Sequence, residues 1–570
     1  MKSVSVHMSG RFKATCLASL AGVALHVTFV HAIPCTPPGD PFEVIDPQVW
    51  VNPHDMVWDD FVPPPGVNWA DPDRAGSERN FNIALVAIDY PNMPFVVTQP
   101  VQSTIFKNPQ PIVSDWNITR ANVARFYQDL LNTPSHLNRN HTLHEYWMED
   151  SAGRFGVDLT AFGPYEMPAN SWQYGIENRM NPGGCPAGAS CNLNIRTDAL
   201  RAWRNDVGDE TADSYELVFI TSAGQDESST WQEFGEMLFG SPDEVTDAFG
   251  PPAGNGPNFA STRYVNWTSW ASAATLWPNA GSGSSTQAES SGMGVYAHEL
   301  SHLLRIADNY NNPYGEPAQR SYTGPWSMMS RGSFNGPGGP HSRWQIPALQ
   351  GGAMGSLHTV RDKLQLGLAD RSSVLTVRRS ELAAARGGVL VADVTARCVA
   401  VGEGELLGVR IALDEDGDRT PACDARTTPF CDGGPYDYYE VEVVDRMGAD
   451  SFQPDAGVHL SKTKERDVLP FQWTVDANPQ DVGLVDFALP DGTERYVTVG
   501  DYRQLADALF HAGTRSGSAF EYVDAANGLH FYVLAKQRSE EGELRYSVAV
   551  RSLEAAAAGR GEAGQHGVVR

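Results

Sequence analysis

One stretch constrains this chain more than any other: residues 294–308, GVYAHELSHLLRIAD. It contains HExxH, in which His298 and His302 fall on one face of a helix and can close on a single metal ion, while Glu299 stands beside the first histidine to activate water. Val295, Leu300, Leu303, Leu304 and Ile306 supply the apolar flanks of a packed helix, and Gly292 and Gly294 precede it as start signals. The pattern reads as a zinc hydrolase. The competing reading is an ordinary helix whose histidines meet solvent or protein hydrogen bonds.

A zinc site needs a third protein ligand. At roughly 100° per residue an unbroken helix would carry Asp308 about 240° away from His302, so Asp308 reaches the metal only if the helix stops first. The turn chemistry of residues 309–315 places that stop near Arg305. Glu316 and His341 are rival third ligands, which would belong to a longer helix.

His298 to Asp308, followed by Trp326-Ser-Met-Met-Ser-Arg-Gly332 and the glycine-rich run to Gly339, resembles the immune inhibitor A family of secreted zinc metallopeptidases. That resemblance implies a metzincin-like fold with aspartate, here Asp308, as third ligand, and a methionine turn beneath the metal with Met329 as its methionine. It implies protein or peptide substrates. The family carries glycine where this chain has Arg305; arginine in the left-handed bend required there costs on the order of 1 kcal/mol. The resemblance is good over residues 80–350, where the segments around Asn82 to Pro91 and His144 to Phe155 also match, and weaker beyond.

The rest of the chain agrees with export. Lys2, Arg11 and Lys13 precede an apolar stretch from Ala14 to Val30, and Val30-His-Ala32 offers a cleavage site, so residues 1–32 read as a signal peptide. No later segment is long enough to span a bilayer, and secretion without stable membrane insertion is expected. A formal charge of -27 argues against nucleic acid as a partner. Of seven cysteines, Cys16 leaves with the signal; the remaining six suit three disulfides, with Cys185–Cys191, Cys423–Cys431 and Cys35–Cys398 the preferred pairing. Asn117, Asn140 and Asn266 begin N-glycosylation sequons, which matter only in a eukaryotic host.

Residues 33–79, rich in Pro and Asp, read as an extended arm or a propeptide. Ile83 to Ile88 is a buried-strand candidate, as is Tyr215 to Thr221; a helical pattern starts at Asn117 with Thr119 as cap. The polar run 224–233 and the aromatics Tyr264, Trp267 and Trp270 are candidates to border a substrate cleft. These elements around HExxH give an α+β zincin-like catalytic domain over 80–350. His341 is a further candidate for transition-state charge stabilisation.

From about residue 355 short strands take over: Val360 to Leu366, Val374 to Val377, Gly388 to Val391, Tyr436 to Val444 and Tyr496 to Val499, with a short helix over Tyr502 to Phe510. A mainly β region over 351–553 follows, with a fraying tail at 554–570. Asp414-Glu-Asp-Gly-Asp418 has the oxygen donors and glycine of a Ca2+ loop, but Ala425 stands where an EF-hand needs its glutamate. The expectation is a secreted Zn2+ endopeptidase: His298, His302 and Asp308 as ligands and Glu299 as general base. The alternatives are a zinc hydrolase of a non-peptide bond, and an inactive extracellular protein whose C-terminal region binds a glycan or protein.

Overall fold

The apolar run Ile83 to Ile88 becomes the middle of β1 (Arg79–Asp89), and every one of its six residues is fully buried. Burial on both faces is what a central parallel strand requires, and it explains why the run does not alternate with polar residues. β1 pairs in parallel with β2 (Phe155–Glu166) on one side and β3 (Leu217–Ser222) on the other. β7 (Ser284–Ala288) continues the parallel sheet beyond β3, and β6 (Asn279–Gly281) closes it as an antiparallel edge. A small ribbon, β4 (Phe259–Ala260) with β5 (Thr268–Ser269), stands apart from this sheet.

The computed structural model describes residues 44–554 apart from 101–102, 104–116, 175–186, 192, 226–238, 250–258, 261–266, 270–278, 312–318, 340–345, 349–353, 415, 425, 480–484, 489–491 and 497–499. Glu316, His341, Tyr264, Trp270, Asn266, Cys35 and Cys185 therefore lie outside the described residues, as do residues 226–233 of the polar run.

Helices α1 (Val123–Asn132) and α3 (Ile195–Val207) pack on β1 and β2, with the single turn α4 (Asp209–Ala212) following α3. The helical pattern expected from Asn117 starts later: Arg120–Asn122 forms a 3-10 turn, and Thr119 makes no side-chain cap. α2 (Leu143–Asp150) does carry a capping box, with the Thr142 hydroxyl accepting from the Glu145 N–H at 3.0 Å. α5 (Met293–Leu303) is the HExxH helix and lies against α2, β6 and β7. The Tyr296 hydroxyl, 2.8 Å from Thr221 Oγ1, ties it to β3.

Residues beyond 370 are predominantly β. β8 (Val374–Arg378), β10 (Gly408–Ala412), β11 (Tyr438–Val444), β12 (Gly457–Thr463) and β13 (Gln472–Thr474) form one sheet. β9 (Val389–Thr395), β16 (Glu521–Asp524), β17 (Leu529–Arg538) and β18 (Leu544–Ser552) form a second, and β14 (Val485–Ala488) with β15 (Glu494–Tyr496) a ribbon. Val441, Val458 and Leu460 of the first sheet meet Phe531, Val533 and Val548 of the second across a shared core.

Three expectations fail here. Val360 to Leu366 is not a strand but α6 (Val360–Leu366), started by the Thr359 side chain on the Asp362 N–H and stopped by Gly367 at φ 76°. Tyr502 to Phe510 holds only a 3-10 turn, Tyr502–Leu505. Cys423 and Cys431 are bonded, and Cys191 is also in a disulfide, but Cys398 is a free thiol buried beneath the sheets, so the pairing Cys35–Cys398 does not form. The carboxylates described in the acidic loop are engaged by protein donors: Asp414 by the Ser380 N–H, Asp416 by Arg419, Asp418 by the Thr420 N–H and Asn527.

The arm from residue 44 is built into the β region. Asp46, fully buried, accepts from the Ala512 N–H, the Tyr546 hydroxyl and Lys536, and lies 3.3 Å from His511, whose other ring nitrogen is 3.0 Å from Asp455. Farther along, the Met56 carbonyl accepts from the Gly338 N–H and Phe61 packs on His141. Burial opposes charge on His511, yet Asp455 and Asp46 push it up to about 9 from 6.5. Burial likewise opposes charge on Asp46, and its donors outweigh it, holding the carboxyl well below the ordinary range.

The histidine's contribution is complete below about pH 6.5 and is lost as pH rises through about 9; the aspartate's is present above about pH 4 and lost in acid. Hydrogen exchange of residues 44–51 is therefore expected to accelerate from pH 6.5 to 9 beyond its intrinsic base catalysis. In His511→Gln that excess should vanish.

Candidate metal centre

The HExxH helix ends where the spacing argument requires. Arg305 sits in the left-handed region at φ 76°, the Ile306 N–H reaches back to the Ser301 carbonyl (3.4 Å) and the Arg305 N–H to that of His302 (2.9 Å). These are the two bonds of a Schellman stop. The chain then reverses and brings Asp308 under the helix. Arg305 is exposed, so its side chain gains little from burial. Arg305→Gly should remove about 1–2 kcal/mol of left-handed strain against about 0.5–1 kcal/mol of added unfolded-state entropy. Thermal unfolding is expected to show a variant between neutral and about 1 kcal/mol more stable, with cleavage retained.

His298 Nε2, His302 Nε2 and Asp308 Oδ1 lie 3.0 to 3.1 Å from one another. The other nitrogen of each ring is already assigned a partner. His298 Nδ1 is 2.8 Å from the Met328 carbonyl and His302 Nδ1 is 2.8 Å from the Ile306 carbonyl. A carbonyl only accepts, so each Nδ1 carries the hydrogen and each Nε2 offers a lone pair. Two lone pairs and a carboxylate oxygen at such distances repel unless a cation stands among them. A tetrahedral zinc with bonds near 2.0–2.1 Å sets its ligands about 3.3 Å apart, close to this spacing.

Without a metal ion a proton takes that place between His302 Nε2 and Asp308. Burial pushes the His302 imidazolium down, but the bond to Asp308 prevails and takes it up to about 9. Burial also raises Asp308, whose bonds to both histidines hold it far below the usual carboxylate range. Glu299 is buried and its Oε2 has no hydrogen-bond partner; burial raises its pKa, which the neighbouring histidines only partly offset. His298, Glu299 and His302 form a group whose ligand atoms all lie within 4.8 Å. Among the described residues no His/Cys/Asp/Glu group away from this centre has a metal-binding arrangement.

The methionine turn works through its backbone as well as its side chains. Met328 and Met329 are both fully buried; the Met328 carbonyl orients His298, and the Met329 carbonyl accepts from the Asn309 N–H at 2.7 Å, next to Asp308. The β region completes this loop. Asp467 accepts from the Ala307 N–H (2.9 Å), and the Asn309 side chain bonds the backbone of Phe471 and Gln472. Behind the helix, Ser301 Oγ is 2.9 Å from His358 Nε2, and His358 Nδ1 faces Asp150. All three are almost wholly buried, so this serine is a tether and not a nucleophile. None of these partners was legible beforehand, since backbone carbonyls have no sequence signature and the side chains come from far along the chain.

A four-stranded parallel sheet with an antiparallel edge, an HExxH helix stopped by a left-handed residue, and a methionine turn beneath define a metzincin-type zinc metallopeptidase. The family model for the immune inhibitor A peptidase M6 catalytic domain matches residues 279–350, and a model described as a middle domain matches residues 365–553. A protein of Arthroderma benhamiae named "Putative secreted metallopeptidase" is 60% identical over 554 residues, covering 95% of this chain and 80% of the relative. The chain belongs to the immune inhibitor A family of secreted zinc metallopeptidases. It is thus a secreted zinc-dependent endopeptidase acting on proteins or peptides. No helix among the described residues is long and apolar enough to cross a membrane.

Proposed function

We propose that His298 and His302 hold the zinc through Nε2 and Asp308 holds it through Oδ1, with Glu299 as general base and acid in peptide-bond hydrolysis. The observation that carries this assignment is the convergence of those three atoms within 3.1 Å while both Nδ1 hydrogens are committed to carbonyls. Bound zinc supplies a Lewis acid that acidifies water and polarises the scissile carbonyl. Glu299, beside the first histidine and with a free buried oxygen, takes the proton from the attacking water and returns it to the leaving amide nitrogen. Its raised pKa, set by burial, makes the carboxylate a stronger base than one in water.

The working unit proposed is residues 80–350 for catalysis, with residues 351–553 bracing it. Asp467 and the backbone at Phe471 and Gln472 hold the loop that carries Asp308, so the β region has a direct part in shaping the third ligand. Residues 44–79 act as a structural arm, as the burial of Asp46 supports. A glycan or protein ligand of the β region is a separate proposal. The test of the central assignment is zinc content measured alongside cleavage of an unfolded protein, in wild type and Glu299→Gln. Folded protein without stoichiometric zinc overturns it.

A further inference from the structure

Arg196 lies on the first turn of α3, and nothing in the zinc chemistry uses it. Its Nη2 is held on the edge strand β6 by the backbone carbonyl of Asn279 and by Asn279 Oδ1, the latter at 2.6 Å. β6 packs against the HExxH helix, so the guanidinium is fixed to the element that flanks the metal centre. Among the described residues no carboxylate pairs with it: its hydrogen bonds are to a neutral residue, and its Nε is buried without a hydrogen-bond partner. The residue is only half-buried, so the charge is also reachable from outside.

The chain carries 69 acidic residues against 42 Lys and Arg, so acidic partners are in surplus. A half-buried guanidinium left without an anion has paid desolvation with no ion pair in return. Because β6 lies against the HExxH helix, the guanidinium it holds stands on the flank of the element that carries Glu299.

We propose that Arg196 is a specificity-determining residue that receives a carboxylate of the peptide substrate, held by Asn279 in position to do so. This rests on the endopeptidase reading above. The carboxylate can come from an acidic side chain near the scissile bond or from a free C-terminus, and guanidinium geometry suits both. The inference predicts a preference in binding, expressed in KM, and no change in the order of bond making and breaking.

The experiment compares kcat/KM for one cleavable peptide carrying Glu, Gln or Lys at each flanking position in turn, each made as free acid and as C-terminal amide. Wild type should favour Glu over Gln at one position, or the free acid over the amide, by roughly ten- to a hundredfold, the range of a charged hydrogen bond. Arg196→Gln should collapse that ratio through KM, Arg196→Lys restore part of it, and Arg196→Glu turn it toward the Lys peptide. The position at which the ratio collapses separates a side-chain carboxylate from a terminal one.

A wild-type enzyme indifferent to carboxylate, or a preference that survives Arg196→Gln, overturns the inference while leaving the peptidase intact. A wild type with full zinc that cleaves none of the peptides, nor an unfolded protein, overturns the underlying reading instead. If Arg196→Gln does not fold, Asn279→Ala, which frees the guanidinium from its strand, should lower the same ratio; an unchanged ratio there also overturns it.

Discussion

Glu299→Gln is expected to lower kcat for peptide cleavage by roughly 10³–10⁴-fold while the protein keeps its zinc and its fold. Glutamine matches glutamate in shape but cannot accept a proton from the attacking water, and general acid–base catalysis is worth up to about 10⁴-fold. The proposed zinc-ligand atoms are untouched, because the carbonyls of Met328 and Ile306 orient the histidines independently of Glu299. Stability should not fall. The native carboxylate is buried with Oε2 unpartnered, and removing its charge relieves desolvation. Steady-state cleavage, zinc analysis and thermal unfolding of the two proteins read all three quantities. Retention of more than about a tenth of the wild-type rate would remove Glu299 from the role of base.

Asp308→Ala should act on the metal itself. Two imidazoles remain, and zinc sites in enzymes use three protein ligands. Loss of an outer-shell partner costs about 10–100-fold in metal affinity, so loss of a direct ligand should cost at least about 100-fold. Because zinc binds the folded protein, each hundredfold lost at fixed free zinc withdraws about 2.7 kcal/mol of linked stabilisation. Competition with a chromogenic chelator measures the first effect, and unfolding at buffered zinc the second. The variant should also differ from Glu299→Gln in kind: excess zinc restores part of its activity, whereas no zinc concentration rescues the glutamine variant. Unchanged zinc affinity would pass the third-ligand role to Glu316 or His341.

Much of the centre is legible because its chemistry is local. Two histidines four residues apart share a helix face wherever the helix forms, and turn residues after Asp308 announce its end. β1 was legible for a similar reason, as a continuous apolar run. β7 was not. Its Ser-Ser-Thr-Gln-Ala sequence lacks any apolar signal, and its residues are buried because neighbouring strands and the HExxH helix enclose them. α6 was misread as a strand because Val360, Leu364 and Leu366 fit either period over so short a run; the Thr359 cap and Gly367 stop decide for helix.

What the sequence determined, then, is the proposed donor set and the two features that let it close: the i, i+4 histidines and an aspartate just past a break in the helix. That arginine occupies the left-handed stop where the related family has glycine did not prevent the bend, because the backbone bonds of Ser301 and His302 and the burial of Ile306 hold it. The tertiary structure decided which nitrogen of each histidine is left to take a metal, by committing the other to the carbonyls of Met328 and Ile306. It also decided where Asp308 stands, through Asp467, 160 residues beyond the amide it holds. The physical reason is that spacing along a helix is set by covalent geometry within a few residues, whereas the orientation of a ring or a reversed loop is set by hydrogen bonds to groups that only folding brings near.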